Sequence, residues 1–219
     1  MTATEVRRPV WRRPAVIGGV GVTALVVAMV LSTEFVSNDA QAIAADTATE
    51  FAALNYEDVI VPSLTDRAIP VEELIAMMAE DPEGTGEEYG RREDANKPYS
   101  FPVVATGVVA EGSFGEVALE VEGLPEGVTV GVAVPPLGSS TALRDAGTEV
   151  AFGDFVNQTE YQNVAIELNK LAAENAYADV DLDSLQGKSI TVTGALSWSS
   201  KTGGEVDHVV VVPVTVEVG

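Results

Sequence analysis

The chain has 219 residues, 46% of them hydrophobic, with no cysteine, one histidine and a formal net charge of −22 at pH 7. The lack of cysteine excludes disulfides, thiolate nucleophiles and cysteine-ligated zinc, and a single histidine excludes zinc sites built from several histidines. Because a negative charge of this size repels phosphates, we expect no nucleic-acid partner.

The N-terminus carries the signals of a membrane anchor. Four arginines within residues 1–13 precede the uncharged run "AVIGGVGVTALVVAMVL", residues 15–31. At about 1.5 Å per residue this run approaches the roughly 30 Å hydrocarbon core of a bilayer, and flanking arginines mark the cytoplasmic side. We therefore predict a basic cytoplasmic leader over 1–14, a transmembrane signal-anchor helix over 15–36 and a tether over 37–45.

A cleaved signal peptide is the alternative interpretation of the same segment. The tripeptide "AQA", residues 40–42, has the small-x-small form of a cleavage site, but it lies about ten residues beyond the apolar run. We favour an uncleaved anchor and a single-pass protein of the cell membrane. Either interpretation places the acidic bulk of the chain outside the cytoplasm.

Residues 46–98 have the pattern of a helical segment. "DTATEFAALNYEDVIVPSL" predicts an amphipathic helix that ends near Pro62. A second helix is predicted after Pro70, and Asp81 followed by Pro82 predicts another helical turn. The apolar positions of the two main helices are Phe51, Leu54, Val59, Ile60, Leu74, Ile75 and Met78.

From residue 99 to 219 the apolar period changes to two, as in β-strands. The strands are predicted at "YSFPVVATGVVAEG", "EVALEVE", "GVTVGVAV", "SITVTGAL" and "VVVVPVTVEV". In the last strand the alternation aligns the even-numbered valines from Val210 to Val218, and Pro213 is expected at an edge or a bulge.

The order of these elements indicates an α+β fold. A helical pattern within residues 140–176 separates the third strand from the fourth. This order fits a small antiparallel OB-like β-barrel with a helix inserted between strands three and four. A rolled sheet packed on helices is the alternative.

The stretch "STALRDAGTEVAFGDFVNQTEY", residues 140–161, combines charged and amide side chains with aromatic and small residues. Asn157 and Glu160 have the spacing of a helix capping box, and Arg144 stands beside Asp145. The segment after Tyr89 concentrates further basic residues in an otherwise acidic domain. The candidate ligand-binding residues are Tyr89, Arg91, Arg92, Glu93, Arg144, Asp145, Asn157, Gln158 and Tyr161. A purely structural role, in which these side chains tie a helix to the sheet, is the alternative.

No metal, cofactor or catalytic residue is predicted. "DVDLDS", beginning at Asp179, resembles the start of a calcium loop, but Ser184 and Ile190 occupy the positions that need glycine and glutamate. His208 is expected to be a structural histidine at the rim of the last strand. A carboxylate-based hydrolase is the least favoured function, since no pair of acids stands out in so acidic a chain.

The motifs "YGRRE", "PYSF", "TALRDA", "DFVNQTEY" and "LQGKSITVTGA" make the chain similar, over residues 45–217, to the family of predicted periplasmic lipoproteins called domain of unknown function 2291. The chain departs from the family pattern at three positions, where Ser139, Ser140 and Gly153 replace arginine, glycine and asparagine. It also lacks the lipobox cysteine that the family usually carries.

The resemblance implies an extracytoplasmic domain that accompanies sugar ABC-transporter components. Together with the sequence it suggests a membrane-anchored accessory or binding module for a small polar ligand, without enzymatic activity. A structural cell-envelope protein with no small-molecule ligand is the alternative. The sequence leaves the oligomeric state open.

Overall fold

The described part of the chain begins after the predicted anchor in the sequence. The computed structural model describes residues 42–199 and 205–219, so the predicted leader, the anchor helix and most of the tether lie outside the described residues. Within the described part of the chain, no helix is long and apolar enough to cross a membrane. The described residues belong to one compact unit, Ala40–Gly219.

The first helical segment consists of α1 (Ala48–Asn55), a π-helical turn (Tyr56–Ile60) and α2 (Val61–Asp66). Helix α1 begins where the Thr47 hydroxyl accepts a hydrogen bond of 3.2 Å from the Glu50 amide. The predicted end of the helix near Pro62 is wrong, because the helical path continues into α2. Pro62 lies in the first turn of α2, directly after the π-helical turn, where the amide of Val61 donates to the carbonyl oxygen of Tyr56.

A short strand and two helices follow. They are β1 (Ile69–Pro70), α3 (Val71–Glu80) and α4 (Pro82–Tyr89). Pro70 is the N-cap residue of α3, and the Asp81 carboxylate caps α4 by accepting from the Gly84 amide at 3.0 Å. The buried face of α3 packs against the interior of the barrel through Val71, Leu74, Ile75 and Met78.

Five strands form the closed barrel. They are β2 (Ser100–Ala110), β3 (Glu116–Glu120), β4 (Thr129–Ala133), β5 (Ser189–Ser197) and β6 (His208–Val218). Their spatial order is β2-β3-β4-β6-β5, and pairing of β5 with β2 closes the ring. Strand β1 pairs in parallel with Val103 and Val104 of β2. The closed barrel therefore confirms the OB-like alternative over the rolled sheet.

One pairing departs from the antiparallel barrel that the sequence predicts. Strands β4 and β6 run parallel, with Thr129 opposite His208. Parallel neighbours need a long crossover connection. That connection contains α5 (Ala142–Gly147), a 3-10 turn (Phe152–Asp154), α6 (Gln158–Ala176), a second 3-10 turn (Leu182–Ser184) and β5. The predicted position of the long helix, between the third and fourth barrel strands, is confirmed.

Two hydrophobic clusters stabilise the fold, one inside the barrel and one between its outer wall and helices α1, α2, α5 and α6. Strand β6 contributes to both. Val209 and Val211 lie in the interior cluster, whereas Val212 and Val214 lie in the outer cluster. The prediction that the even-numbered valines share one face along the whole strand is therefore wrong, since Val216 again packs against the interior cluster.

A β-bulge explains this change of face. The β5–β6 register shifts between Thr193 and Gly194, so that Thr193 pairs with Thr215 and Gly194 with Pro213. An extra residue in one strand reverses the direction of the following side chains. The predicted placement of Pro213 at a bulge is confirmed, and its lack of an amide hydrogen is tolerated there.

Candidate functional site

Arg144 occupies the centre of the candidate site, with 3% of its side chain exposed. Its Nε donates to Asp145 Oδ1 at 2.8 Å, and its Nη2 lies 2.7 Å from the same oxygen. Its Nη1 donates to the carbonyl oxygen of Tyr161 at 3.2 Å, and its Cζ lies 4.0 Å from the centroid of the Tyr161 ring. Ion pairing, hydrogen bonding and stacking together fix the guanidinium in one orientation.

The segment before β2 reaches this centre through Glu93. Its Oε2 lies 3.6 Å from Arg144 Nη2, and one-third of its side chain is exposed. Arg91 forms an antiparallel backbone bridge with Ser100, which extends the chain at this point. Successive side chains of an extended chain point to opposite sides. Arg92, the residue before Glu93, lies with its Cζ 4.1 Å from the centroid of the Tyr99 ring and is not among the residues that line the cavity.

Helix α6 begins at the predicted cap. Asn157 Oδ1 accepts from the Glu160 amide at 3.0 Å. Glu160 does not complete the capping box in the predicted way, because its Oε2 accepts from the backbone amide of Ala48 at 2.8 Å. The carboxylate thereby joins the first turn of α6 to the start of α1, and Asn157 and Glu160 serve to position helices.

A cavity of about 550 Å³ opens beside Arg144. Four of the nine predicted residues line it, and Asp145 acts on it through its contacts with Arg144. The lining residues are Glu93, Lys97, Ser139, Thr141, Arg144, Phe152, Gln158, Tyr161 and Gln162.

Tyr89, Arg91 and Arg92 do not belong to the described lining of this cavity. Arg91 pairs with Glu149 at 3.0 Å, and Arg92 pairs with Glu83 at 2.8 Å. Tyr89 is the last residue of α4. The segment 89–93 therefore contributes one residue, Glu93, to the cavity.

Five lining residues were missing from the predicted set: Lys97, Ser139, Thr141, Phe152 and Gln162. Gln162 follows Gln158 by four residues on α6, so the helical repeat would have placed it on the same face. Ser139 and Thr141 come from the loop after β4, where no periodic pattern indicates a direction.

Buried Asn169 of α6 holds that loop in place. Its Nδ2 donates to the carbonyl oxygens of Gly138 at 3.1 Å and Ser140 at 2.9 Å. Helix α6 thus supplies Gln158, Tyr161 and Gln162 to the cavity directly, and through Asn169 it holds the loop that supplies Ser139. Asn169 is 1% exposed, and these two bonds pair its Nδ2, a buried donor that would otherwise be costly to the fold. The sequence alone does not show that this asparagine is buried.

Burial raises the pKa of Tyr161 to about 12, and the opposing effect of Arg144 is smaller. The phenol therefore stays protonated well into the alkaline range.

The candidate site contains few groups suited to catalysis. Among the described residues that line the cavity, Glu93 is the one carboxylate. The described residues form no group of three or more His, Asp or Glu side chains that could hold a metal ion. His208 lies outside the cavity lining, and both its ring nitrogens have partners. Its Nδ1 lies 2.8 Å from the hydroxyl oxygen of Thr129, and its Nε2 lies 3.1 Å from Oε1 of Glu116. It joins β6 to β3 and β4.

The closed five-stranded barrel, with its helix between the third and fourth strands, defines a protein of the OB-fold class. An OB-fold protein of known crystal structure from Thermotoga maritima is similar, with a TM-score of 0.58 and 14% sequence identity, covering 78% of this chain and 98% of that chain. At this identity the similarity shows the fold alone.

The chain belongs to the family described as predicted periplasmic lipoprotein, domain of unknown function 2291, whose model matches residues 21–217. No curated protein matches the sequence. Membership confirms the resemblance that the motifs indicate, and it places the protein at the membrane on the extracytoplasmic side.

Proposed function

We propose that this protein is a membrane-tethered, extracytoplasmic binding module, without catalytic activity, that holds a small sugar or polyol in the cavity beside Arg144. The observation that carries the proposal is the cavity itself. Its volume of about 550 Å³ falls within the range typical of small-molecule sites. Its lining combines polar side chains with an exposed aromatic ring.

The lining chemistry favours a ligand rich in hydroxyl groups. Gln158 and Gln162 carry amides that both donate and accept, and Ser139, Thr141 and Tyr161 add hydroxyl groups. Phe152 is 50% exposed, and its ring centroid lies 6.3 Å from that of Tyr161. An exposed ring beside such groups offers an apolar surface to the C–H face of a sugar ring.

An accessory role in a sugar ABC-transport system is consistent with this ligand class and with the extracytoplasmic placement of the family. We propose that the helix predicted over residues 15–36 holds the domain at the membrane, since the chain has no cysteine to carry a lipid. The domain would then present its ligand to a transporter or to the transporter's binding protein.

The experiment is a ligand panel on the full chain in detergent. Thermal unfolding and isothermal titration are measured with monosaccharides and polyols. A ligand at 100 times its dissociation constant stabilises the folded state by about 2.7 kcal/mol. Gln158→Ala should weaken binding, while Gln186→Ala, which makes the same change at an exposed position away from the cavity lining, should not. Equal dissociation constants of the two variants for the same ligand would contradict the proposal.

A structural envelope protein is the second candidate, and one observation favours it. Asp145, Asn157 and Glu160 are all engaged in fixing helices or Arg144. Absence of any shift across the panel would support this candidate. A hydrolase receives no support from the cavity, because a carboxylate mechanism needs two such groups and Glu93 is the one among the described lining residues.

A further inference from the structure

We infer that Glu93 makes the cavity selective for uncharged ligands by cancelling the positive charge that Arg144 and Lys97 would otherwise present to an anion. The inference rests on the proposed function, because it names the ligand class of the same cavity. It also gives Glu93 a role that the fold does not require.

Acidic side chains compensate the two basic groups that line the cavity. Arg144, Lys97 and Glu93 line it, and Asp145 lies against Arg144. These four side chains carry two positive and two negative charges, and the carboxylate of Asp154, which acts on the phenol of Tyr161, adds a negative charge nearby. With Glu93 in place, an entering anion gains nothing from the two basic groups together and meets a carboxylate in the cavity wall. Like charges brought together in a binding site exclude the wrong ligand.

Glu93 is not needed to compensate Arg144. Asp145 already contacts both Nε and Nη2 of the guanidinium, at 2.8 and 2.7 Å. Glu93 stands 3.6 Å from Nη2, which is longer than a direct hydrogen bond. Its side chain is also more exposed than that of Asp145, at 33% against 12%. Asp145, the closer and more buried partner, holds the guanidinium of Arg144. Glu93, the more distant and more exposed partner, lies in the cavity lining, where a ligand would contact it.

Replacing Glu93 with an uncharged isostere should therefore create an anion site. Isothermal titration at low salt is made on the full chain in detergent, with D-glucuronate and inorganic phosphate as probes. We expect Glu93→Gln to bind at least one probe about tenfold or more tightly than the unmodified protein does. Glu93→Ala should behave likewise, and Glu93→Asp should show no gain.

Glu149→Gln is the matched control, because it removes the same charge from an exposed partner of Arg91 outside the cavity lining. It should bind neither probe better than the unmodified protein. The inference is overturned if the unmodified protein binds the anions as tightly as Glu93→Gln, or if neither Glu93→Gln nor Glu93→Ala gains binding. Failure of the proposed function would appear elsewhere, in the response of the unmodified protein to uncharged sugars and polyols.

Discussion

Arg144 is the residue at which three separate parts of the chain meet. It belongs to α5, it stacks on Tyr161 of α6, and Glu93 approaches it from the segment before β2. A guanidinium with so little exposure is stable only when its charge and its donors are matched, and here Asp145 and the Tyr161 carbonyl provide that match. The same side chain therefore supports the fold and lines the cavity.

Removing Arg144 should destabilise the protein strongly. Arg144→Met leaves the carboxylate of Asp145 without its partner and removes the stacking on Tyr161, so we expect the free energy of unfolding to fall by about 3 kcal/mol. Urea denaturation followed by circular dichroism measures the loss. Arg91→Met is the control, because the Arg91–Glu149 pair is far more exposed and should contribute below about 1 kcal/mol. Equal losses for the two variants would show that the Arg144–Asp145 pair contributes no more to the free energy of unfolding than an exposed ion pair does.

The sequence predicted residues whose roles follow from local spacing and missed those that depend on distant loops. Asn157 was identifiable as a cap, since the pattern that marks it spans four positions. Arg144 stood out because basic residues are rare in so acidic a chain. Lys97 reaches the cavity from the loop before β2, and Ser139 reaches it from the loop after β4. Their directions depend on long-range contacts, such as the Asn169 clamp on the 138–140 loop, which no local pattern encodes.

At the level of elements, alternation and turn signals predicted every barrel strand, and the errors arose where one residue changed the outcome. Pro62 predicts the end of a helix, but it lies in the first turn of the next helix. The bulge at Gly194 and Pro213 moves Val216 to the face opposite Val214. Both errors have the same cause, because proline and bulge residues act through their exact place in the hydrogen-bond pattern and not through hydrophobicity.

Gly107 lies where the backbone of β2 closely approaches that of β3. A Cβ at this position of β2 would lie 2.3 Å from the carbonyl oxygen of Glu120 at the end of β3. We expect Gly107→Ala to lower the free energy of unfolding by about 2 kcal/mol or more, since backbone must move to relieve the contact. Gly153→Ala is the control, because a Cβ there meets nothing within 4 Å, and it should change stability by less than about 0.5 kcal/mol. Urea midpoints that fall together for both variants would contradict this account.

At the level of the whole molecule, the pKa values of the tyrosine phenols report on the packing of both hydrophobic clusters. Tyr56 and Tyr161 are buried in the outer cluster, Tyr177 packs against it, and Tyr99 lies in the interior cluster. Burial is the largest cause of a raised phenol pKa at each of these four residues. At Tyr89 a hydrogen bond to Glu88 is the largest cause of the same change.

These shifts predict a cooperative loss of stability at alkaline pH. A phenol whose pKa is higher in the folded state than the ordinary value of about 10 holds its proton more tightly when folded. Its contribution to stability is therefore complete below about pH 10 and is lost as the pH rises toward the folded value, which is about 12 for Tyr161. Phenolate absorbance and far-ultraviolet circular dichroism, recorded on the same samples, should change together above pH 10.

Tyr89→Phe separates the exposed phenol from the buried ones. Tyr89 is the most exposed of the five tyrosines, so its phenol can ionise without opening either cluster. The part of the phenolate absorbance that rises while the circular dichroism is unchanged should therefore belong to Tyr89 and disappear in the variant. The larger, cooperative rise should persist, because the four remaining phenols lose their protons when the clusters open. If these phenols ionise near pH 10 in a protein whose circular dichroism is unchanged, the two clusters do not protect them, and the packing of α1 and α6 on the barrel is looser than the structure shows.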